Sequence, residues 1–358
     1  MEFYILDENL DVLDIVDTFK SAIWTTRYFT DGDFELYVPA TDKMINLLQK
    51  DRFVVRTDDT TKCMIIQNIE LQTNVEEGNY LSVTGKDLKN ILSRRIIWKQ
   101  ITVSGYVEWC VRNLIETNAI DPEDPDRKIP RLELAEEIGL QDKMSTQYTG
   151  NNLEEVIQGI CKNYKLGYDV ELDLDNKKFI FRLYSGVDRS YNQAANPYVV
   201  FSNDFENLLS TNYARNGEAF KNVAKIAGEG EGTARKYAVA GAATGLNRFE
   251  MFVDARDVST NEGEIDEYTY KSLLSERGYA KLAENGIIEN IDGEVEPNQT
   301  YQLNRDYFLG DIVEVVNEYG ISMTPRITEV IESEDDTGHY IIPTFATDED
   351  EENEESEG

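Results

Sequence analysis

The chain has 358 residues, of which 41% are hydrophobic and 10% aromatic, which excludes a disordered protein and leaves room for two or three domains. Its net charge is −34, and because the last eleven residues hold eight acids, the rest of the chain still carries −26. Such a body repels phosphate and argues against affinity for nucleic acid, although the charge also suits plain solubility or a wall along which DNA slides. The sequence has no apolar run of membrane-spanning length and no basic start before an apolar stretch, so we expect neither a membrane span nor a signal peptide.

Residues 1–98 are predicted to be mainly β. The stretch FELYVP, which begins at Phe34, alternates apolar with polar side chains and ends at a proline. NIELQ and YLSVT flank the turn signal VEEGN, a pattern typical of a hairpin. Short helices are expected at 42–49 and 87–94. This region is the first predicted domain.

Residues 99–197 are predicted to form a mixed domain inserted between β regions. SGYVEWCVRNLIE and NNLEEVIQGICKNYKLG carry apolar residues at helical spacing, with Ser104 as the expected cap of the first helix and Gly167 as the expected end of the second. YDVELDLDNKKFIFRLY predicts a hairpin around Asp175 and Asn176, and DPEDPDRKIP predicts a proline-rich loop.

Residues 198–346 return to a β pattern, interrupted by one helix expected near 267–285. The candidate strands are YVVF, FKNVAKIA, KYAVAG, RFEMFVDA, DIVEVV, RITEVIE and YIIPTF. Residues 347–358 are predicted to be a solvated, disordered acidic tail, with solubility favoured over a role in docking a basic partner.

The glycine-rich stretch AGEGEGTARK resembles a phosphate loop at first sight. A Walker loop requires a Gly-Lys pair that opens a helix, and a dinucleotide fingerprint requires glycine where Thr233 stands. The glutamates would also repel phosphate, and the residues that follow predict a strand. We therefore interpret it as a flexible hairpin loop with solvated glutamates, made of Gly228, Glu229, Gly230, Glu231 and Gly232.

The cysteines are expected to be buried, free and unreactive. Cys63, Cys110 and Cys161 are far apart on apolar stretches, whereas a catalytic thiolate needs an electropositive, partly exposed position and usually a histidine, and the one histidine is His339. Ligand spacings typical of zinc or calcium sites are missing. We predict no catalytic residue, no metal and no cofactor. A pair of carboxylates that hydrolyses glycosides has no characteristic spacing, so a cell-wall hydrolase stays open as an alternative.

Four stretches resemble the tail hub proteins of siphophages and prophages, including the hub region of tail-associated lysins. They are SAIWTTRYFTDGDFELYVPAT (21–41), GVDRSYNQAANPYVVFS (186–202), FKNVAKIAGEGEG (220–232) and YFLGDIVEVVNEYGISMTPRITEVIE (307–332). The residues that carry the resemblance are Trp24, Arg27, Gly32, Asp33, Phe34, Gly310 and Asp311. We interpret them as a fold signature without chemistry: the aromatic rings as core and the glycines as turn positions.

The resemblance implies an α+β, mainly β fold with two tail-tube-like β-barrels and an inserted domain. The first barrel is residues 1–98, completed by strands from about 198–255, and the second is 198–346. Three copies would form a ring that adapts a sixfold tube to a threefold tip. The implied partners are the distal tail protein, the end of the tape-measure protein, and tail fibre or receptor-binding proteins, on a virion tail tip assembled in the host cytoplasm.

By the same resemblance, the loop 228–232 contacts a partner or lines an acidic channel for the tape measure and DNA. Many relatives continue into an enzymatic or fibre-binding extension, whereas this sequence has the acidic tail there, so we do not expect wall-degrading activity. A second alternative is an adhesin that binds host carbohydrate through exposed tyrosines.

Overall fold

The computed structural model describes residues 1–75, 78–260, 265–295, 300–320 and 322–348. Glu76 and Glu77 of the predicted turn, and the predicted tail beyond Asp348, lie outside the described residues. The chain divides into two compact units. Unit 1 is residues 1–186, 308–310 and 328–342, and unit 2 is residues 187–307, 311–327 and the described residues from 343 onward.

The strands account for most of the regular structure, so the protein is mainly β, as predicted. They are β1 (Phe3–Leu6), β2 (Val12–Val16), β3 (Ser21–Arg27), β4 (Asp33–Pro39), β5 (Phe53–Arg56), β6 (Cys63–Asn74), β7 (Gly78–Asp87), β8 (Ile101–Tyr106), β9 (Leu132–Leu134), β10 (Lys143–Tyr148), β11 (Gly167–Asp173), β12 (Lys178–Tyr184), β13 (Val200–Ser202), β14 (Leu208–Asn216), β15 (Val223–Ala227), β16 (Tyr237–Ala240), β17 (Glu250–Asp254), β18 (Ile288–Val295), β19 (Glu314–Val316), β20 (Ser322–Met323), β21 (Arg326–Asp335) and β22 (His339–Asp348).

The helices lie close to where the apolar spacing predicts them. They are α1 (Asp42–Leu47), α2 (Val107–Ile115), α3 (Leu153–Asn163) and α4 (Glu267–Ala283), with short 3₁₀ helices at Leu88–Arg94, Pro125–Arg127, Asn203–Phe205, Gly232–Ala234 and Gly245–Asn247, and a π-helical turn at Glu116–Ile120.

An antiparallel sheet dominates unit 1. Its strands follow the order β21-β3-β4-β7-β6-β5-β1-β2, with β22 beside β21. The predicted β6–β7 and β11–β12 hairpins are confirmed by their pairing. β21 comes from the far end of the sequence and pairs with β3, so unit 1 is discontinuous in sequence. The arrangement as two tube-like barrels, and the domain boundaries at 98, 197 and 346, stay predictions.

Two hydrophobic clusters hold unit 1 together. One fills the space around Trp24, Phe34 and the inner side chains of the sheet. The other packs α2 and α3 against β11 and β12 and also includes Leu6, Val55 and Ile65 from the sheet strands. The predicted inserted region therefore shares a core with residues of the predicted first domain.

Two predicted helix signals are wrong. Ser104 lies within β8, and α2 begins three residues later, after Tyr106, because the chain is still paired with β10 at that point. Gly167 does not end α3, which finishes at Asn163, and instead opens β11. A side-chain carbon on Gly167 would lie 2.3 Å from the ring of Tyr28, so the glycine serves close packing.

Unit 2 contains a small sheet covered by a helix. β15 pairs antiparallel with β16 and parallel with β17, and the apolar side of α4 contributes Tyr270, Leu273 and Leu274 to the core beneath that sheet. β14 pairs antiparallel with β18, and β13 pairs parallel with β19.

Candidate functional site

The aromatic members of the predicted signature lie in the core of unit 1. Trp24 is 2% exposed, stacks on Phe3 with ring centroids 5.9 Å apart, and faces Phe34 across the β3–β4 pair. The guanidinium of Arg56 lies 6.0 Å from the Trp24 ring and donates to Asp58 and Glu332 at 2.6 and 2.5 Å. Burial lowers the pKa of Arg56, but these hydrogen bonds and the two negative charges outweigh it and raise the pKa. Trp24 and Phe34 are therefore core residues, and the ion pairs of Arg56 hold its guanidinium beside the Trp24 ring.

Arg27 joins three strands of the sheet in unit 1. Its Nη1 donates to Asp33 of β4 at 2.6 Å and to the Asp31 carbonyl at 3.1 Å, and its Nε donates to Glu329 of β21 at 2.5 Å. The hydrogen bonds from the guanidinium to the two carboxylates are charge-assisted, and such bonds are stronger than those between neutral groups. Arg27 therefore links β21, from the far end of the sequence, to β3 and β4 of the N-terminal sheet.

Gly32 and Gly310 are positions where a side chain does not fit. A Cβ on Gly32 would lie 2.2 Å from the Thr25 carbonyl oxygen, and the Gly32 N–H donates to Asp87 at 2.8 Å. Gly310 has a φ of +95°, and a Cβ there would lie 2.2 Å from the buried ring of Tyr28. Close approach of backbone is a specific use of glycine. Both residues shape unit 1, and neither presents a reactive group.

Asp311 performs a similar bracing role in unit 2. It is 1% exposed, and its carboxylate accepts from Arg189 Nε at 2.6 Å and from the Val187 N–H at 2.8 Å. The Asp311 carbonyl accepts from the Ile327 N–H at 2.9 Å. Three separate segments of unit 2 thus meet at Asp311, two of them through its buried carboxylate and one through its backbone carbonyl. Breaking a buried ion pair such as Arg189–Asp311 is strongly destabilising.

The glycine loop of unit 2 connects β15 to β16, which confirms the predicted hairpin. A Cβ on Gly228 would lie 2.2 Å from the hydroxyl oxygen of Tyr270, and Gly230, at a φ of +94°, would place one 2.5 Å from the Ala234 carbonyl oxygen. Gly232 has a φ of +55° and open space around it, and Glu231 is exposed. The loop is fixed at its first half and open at its tip.

Glu229 departs from the prediction of solvated glutamates. Its carboxylate accepts from the Thr260 hydroxyl at 2.6 Å, from the Thr260 N–H at 3.0 Å and from Lys236 at 3.0 Å. Burial raises the pKa of Glu229, but these hydrogen bonds and the lysine charge overcome that effect and lower the pKa to about 2. Glu229 thus fixes the first half of the loop to Thr260 and Lys236.

A buried acidic cluster in unit 1 is the feature that sequence reasoning missed. Glu154, at the start of α3, is 3% exposed, and Asn90 Nδ2 donates both to Glu154 at 3.2 Å and to Asp31 at 3.3 Å. Burial and the charges of Asp31 and Asp87 raise the pKa of Glu154 to about 8. Burial likewise raises the pKa of Asp87 to about 6, against the nearby Lys89 ammonium 3.8 Å away.

This cluster is closed to substrates. Perturbed carboxyls often mark catalytic sites, but a catalytic group must reach its substrate, and Glu154 and Asp87 are at most 9% exposed. The Asn152 side chain caps α3 above them, accepting from the Glu154 and Glu155 N–H groups. The raised pKa keeps Glu154 protonated at neutral pH, and its burial keeps it out of reach of a substrate.

The three cysteines are buried and free. Burial raises the pKa of Cys110 to about 11 and that of Cys161 to about 12, and burial with the charge of Asp87 raises the pKa of Cys63 well above its usual value. His339 lies 3.9 Å from Glu332. Thiols held in the protonated form are poor nucleophiles.

The described part of the chain contains no group of three or more His, Cys, Asp or Glu side chains arranged to hold a metal ion. Within the same residues, no helix is both long and apolar enough to cross a membrane.

Solved phage tail proteins share this fold across nearly their whole length. The tail protein from Neisseria meningitidis MC58 is 14% identical, with 97% of this chain and 96% of that chain covered at a TM-score of 0.57. The 43 kDa tail protein of prophage MuSo2 from Shewanella oneidensis is 12% identical, with 96% and 98% covered at a TM-score of 0.57. Prophage tail protein gp18 from Listeria monocytogenes EGD-e is 14% identical, with 97% and 95% covered at 0.56.

No curated protein matches the chain. A family of siphovirus proteins matches the chain over residues 2–346, which leaves out little more than the acidic segment 347–358. The match includes all the braced positions described above, from Trp24 to Asp311. The chain belongs to the family of Siphovirus ReqiPepy6 Gp37-like proteins.

Proposed function

We propose that the protein is the structural hub of a phage tail tip, where three copies form a ring that closes or extends the tail tube. The family match over residues 2–346 carries this proposal. The ring would adapt the sixfold tube to a threefold tip. Each chain would supply two tube-like barrels, residues 1–98 and 198–346, with 99–197 as the inserted domain.

The bracing of the signature residues supports a structural role rather than an enzymatic one. Arg27, Asp33 and Asp311 are engaged in ion pairs within their own units. Gly32 and Gly310 serve close packing, and the buried carboxyls of unit 1 are inaccessible to a polymer substrate. We therefore propose that the protein is not an enzyme.

The charge supports a role as a conduit. Three copies would carry three times −34, or −102, and an acidic wall repels DNA phosphates so that DNA passes without binding. The tip of the loop 228–232, which is exposed and carries Glu231, is suited to face such a channel or a partner. The proposed partners are the distal tail protein, the end of the tape-measure protein, and fibre or receptor-binding proteins of the tail tip.

The experiment is a solution mass measurement combined with negative-stain electron microscopy of the purified chain. The chain weighs 40.9 kDa, and the proposal expects particles of three times that mass with threefold symmetry and a central channel. If the chain is monomeric alone, the distal tail protein is added. Failure to form threefold rings in that mixture would overturn the proposal.

A second measurement addresses the absence of enzymatic activity. In a gel that contains peptidoglycan, the proposal expects no zone of clearing from the refolded chain. A clearing zone that disappears when a single Asp or Glu is substituted would show a wall hydrolase instead.

A further inference from the structure

A pocket of about 550 Å³ lies in unit 1, beside the start of β8. It is lined by residues from three short segments: Trp98 to Ile101, the π-helical turn at Glu116–Ile120, and the loop that ends at Arg127. Small-molecule sites in proteins commonly have volumes of about 300–1,000 Å³, so this pocket has the size of a binding site.

Trp98 is the aromatic group of the pocket. Its side chain is 60% exposed, although a tryptophan is usually well buried. The backbone N–H of Trp98 donates to the side-chain oxygen of Asn118 at 3.2 Å. The Arg127 guanidinium lies 5.0 Å from the centroid of the Trp98 ring and donates to the Ile96 carbonyl at 2.7 Å. The backbone and one cation thus hold the indole in place while much of it stays open to solvent.

The π-helical turn is a second, independent sign of a site. The Asp121 N–H donates to the Glu116 carbonyl at 2.8 Å, an i to i+5 bond that widens the helix at its end. Such turns are rare and frequently occur at functional sites. Here the widened turn places Thr117 and Asn118 along the pocket wall.

The polar groups of the pocket carry both signs. Lys99 and Arg127 are positive, whereas Asp121, Glu123 and Asp124 are negative. Lys99 pairs with Glu123, while the Asp121 carboxylate accepts no hydrogen bond from the described part of the chain. A cationic ligand would meet the two basic side chains, and an anionic ligand would meet three carboxylates. A neutral ligand with many hydroxyls matches this mixture of donors and acceptors.

We propose that the Trp98 pocket binds a neutral saccharide. A pyranose ring has an apolar face of C–H groups that stacks on an indole and an edge of hydroxyls that both donate and accept hydrogen bonds. The exposed indole of Trp98 receives that face, and the free Asp121 carboxylate accepts hydrogen bonds from the hydroxyls. Such a site gives a tail protein an attachment to a neutral glycan of a cell surface.

The test uses the full chain and titrates it with cellotetraose, maltotetraose and chitotetraose, followed by tryptophan fluorescence and saturation-transfer NMR. We expect one of these probes to bind, and Trp98→Ala to weaken that binding at least about tenfold, which corresponds to about 1.4 kcal/mol, because the substitution removes the aromatic contact of the pocket. The matched control is Trp109→Ala, which removes another exposed tryptophan, 49% accessible and outside the pocket, and leaves binding unchanged.

Asp121→Asn provides a readout that does not depend on the packing of the tryptophan. It keeps an acceptor but removes the charge, and we expect a smaller, measurable loss of saccharide affinity with an unchanged unfolding curve. Absence of binding by all three oligosaccharides up to about 10 mM would overturn the proposal. Equal affinity of Trp98→Ala and wild type, or tighter binding of tetramethylammonium or inorganic phosphate than of any saccharide, would overturn it as well.

Discussion

Replacing Glu154 by glutamine should stabilise unit 1 in a pH-dependent way. The carboxyl has an ordinary pKa of 4.5 in an unfolded chain and about 8 in the fold, where burial, Asp31 and Asp87 all oppose its charge and Lys89 partly offsets them. The folded state therefore holds a proton that the unfolded chain releases above pH 4.5. The stability this proton provides is present in full below pH 4.5 and is lost by the time the pH passes 8.

The size of the effect follows from the shift. At about 1.36 kcal/mol for each pKa unit, the full shift corresponds to an upper bound on the order of 4–5 kcal/mol. Glutamine mimics the protonated acid in shape and can still accept from Asn90. The wild type and Glu154→Gln should therefore have similar free energies of unfolding near pH 4. The variant should become more stable by several kcal/mol as the pH rises from 4.5 to 8, and the difference should level off above that.

The assay is urea unfolding at pH 4, 6, 8 and 9, followed by tryptophan fluorescence. All three tryptophans, Trp24, Trp98 and Trp109, belong to unit 1, so the signal reports on that unit alone. Glu155→Gln is the matched control, since Glu155 is the exposed neighbour on the same helical turn and should give a small difference at every pH. A Glu154→Gln difference that is equal at pH 4 and pH 8, or one that Glu155→Gln reproduces, would refute the buried-proton reasoning.

The remaining predictions concern the braces of each unit. Gly32→Ala should destabilise unit 1 by about 1–3 kcal/mol, because its methyl group would lie 2.2 Å from the Thr25 carbonyl oxygen. Gly159→Ala, in α3 with open space around it, should stabilise unit 1 by about 0.5–1 kcal/mol. Urea unfolding followed by tryptophan fluorescence measures both. An unchanged free energy of unfolding for Gly32→Ala would contradict the close approach of Gly32 to the Thr25 backbone. Arg27→Ala should lower the unfolding free energy of unit 1 by about 1–3 kcal/mol, in the same assay, and an unchanged curve would contradict its bracing role. Glu229→Gln should speed amide hydrogen exchange at Thr260 above pH 4.5, where the wild-type carboxylate is charged, and equal exchange rates would count against the bond.

The helices were predictable from sequence because each one is local and amphipathic. In α3 the apolar residues recur at helical spacing and bury one side, and Asn152 caps the first turn, so the signal is contained in about a dozen residues. The error at Ser104 has the same origin. A good cap residue stands near the helix start, but pairing of β8 with β10 involves residues some forty positions away and decides the boundary.

The bracing contacts were beyond sequence reasoning because they join distant residues. Arg27 and Glu329 are 302 positions apart, and no local pattern announces their pairing. Glu154 looks like an ordinary acid in the first turn of a helix, a favourable position, and only the tertiary fold shows that it is buried beside Asp31 and Asp87. β14 was missed for a different reason: its side chains are mostly exposed, so the strand lacks the alternation that identifies one.

The pairing of β3 with β21 cannot form until nearly the whole chain has been synthesised. Ribosomes add about 5–20 residues per second, so roughly 300 residues between the two strands correspond to about 15–60 s during which β3 exists without that partner. During this interval the backbone groups along β3 form an open sheet edge, which is a template for pairing with other chains. A nascent or truncated chain that lacks β21 is therefore exposed to misassembly, in which β3 pairs with a strand of another copy of the same chain.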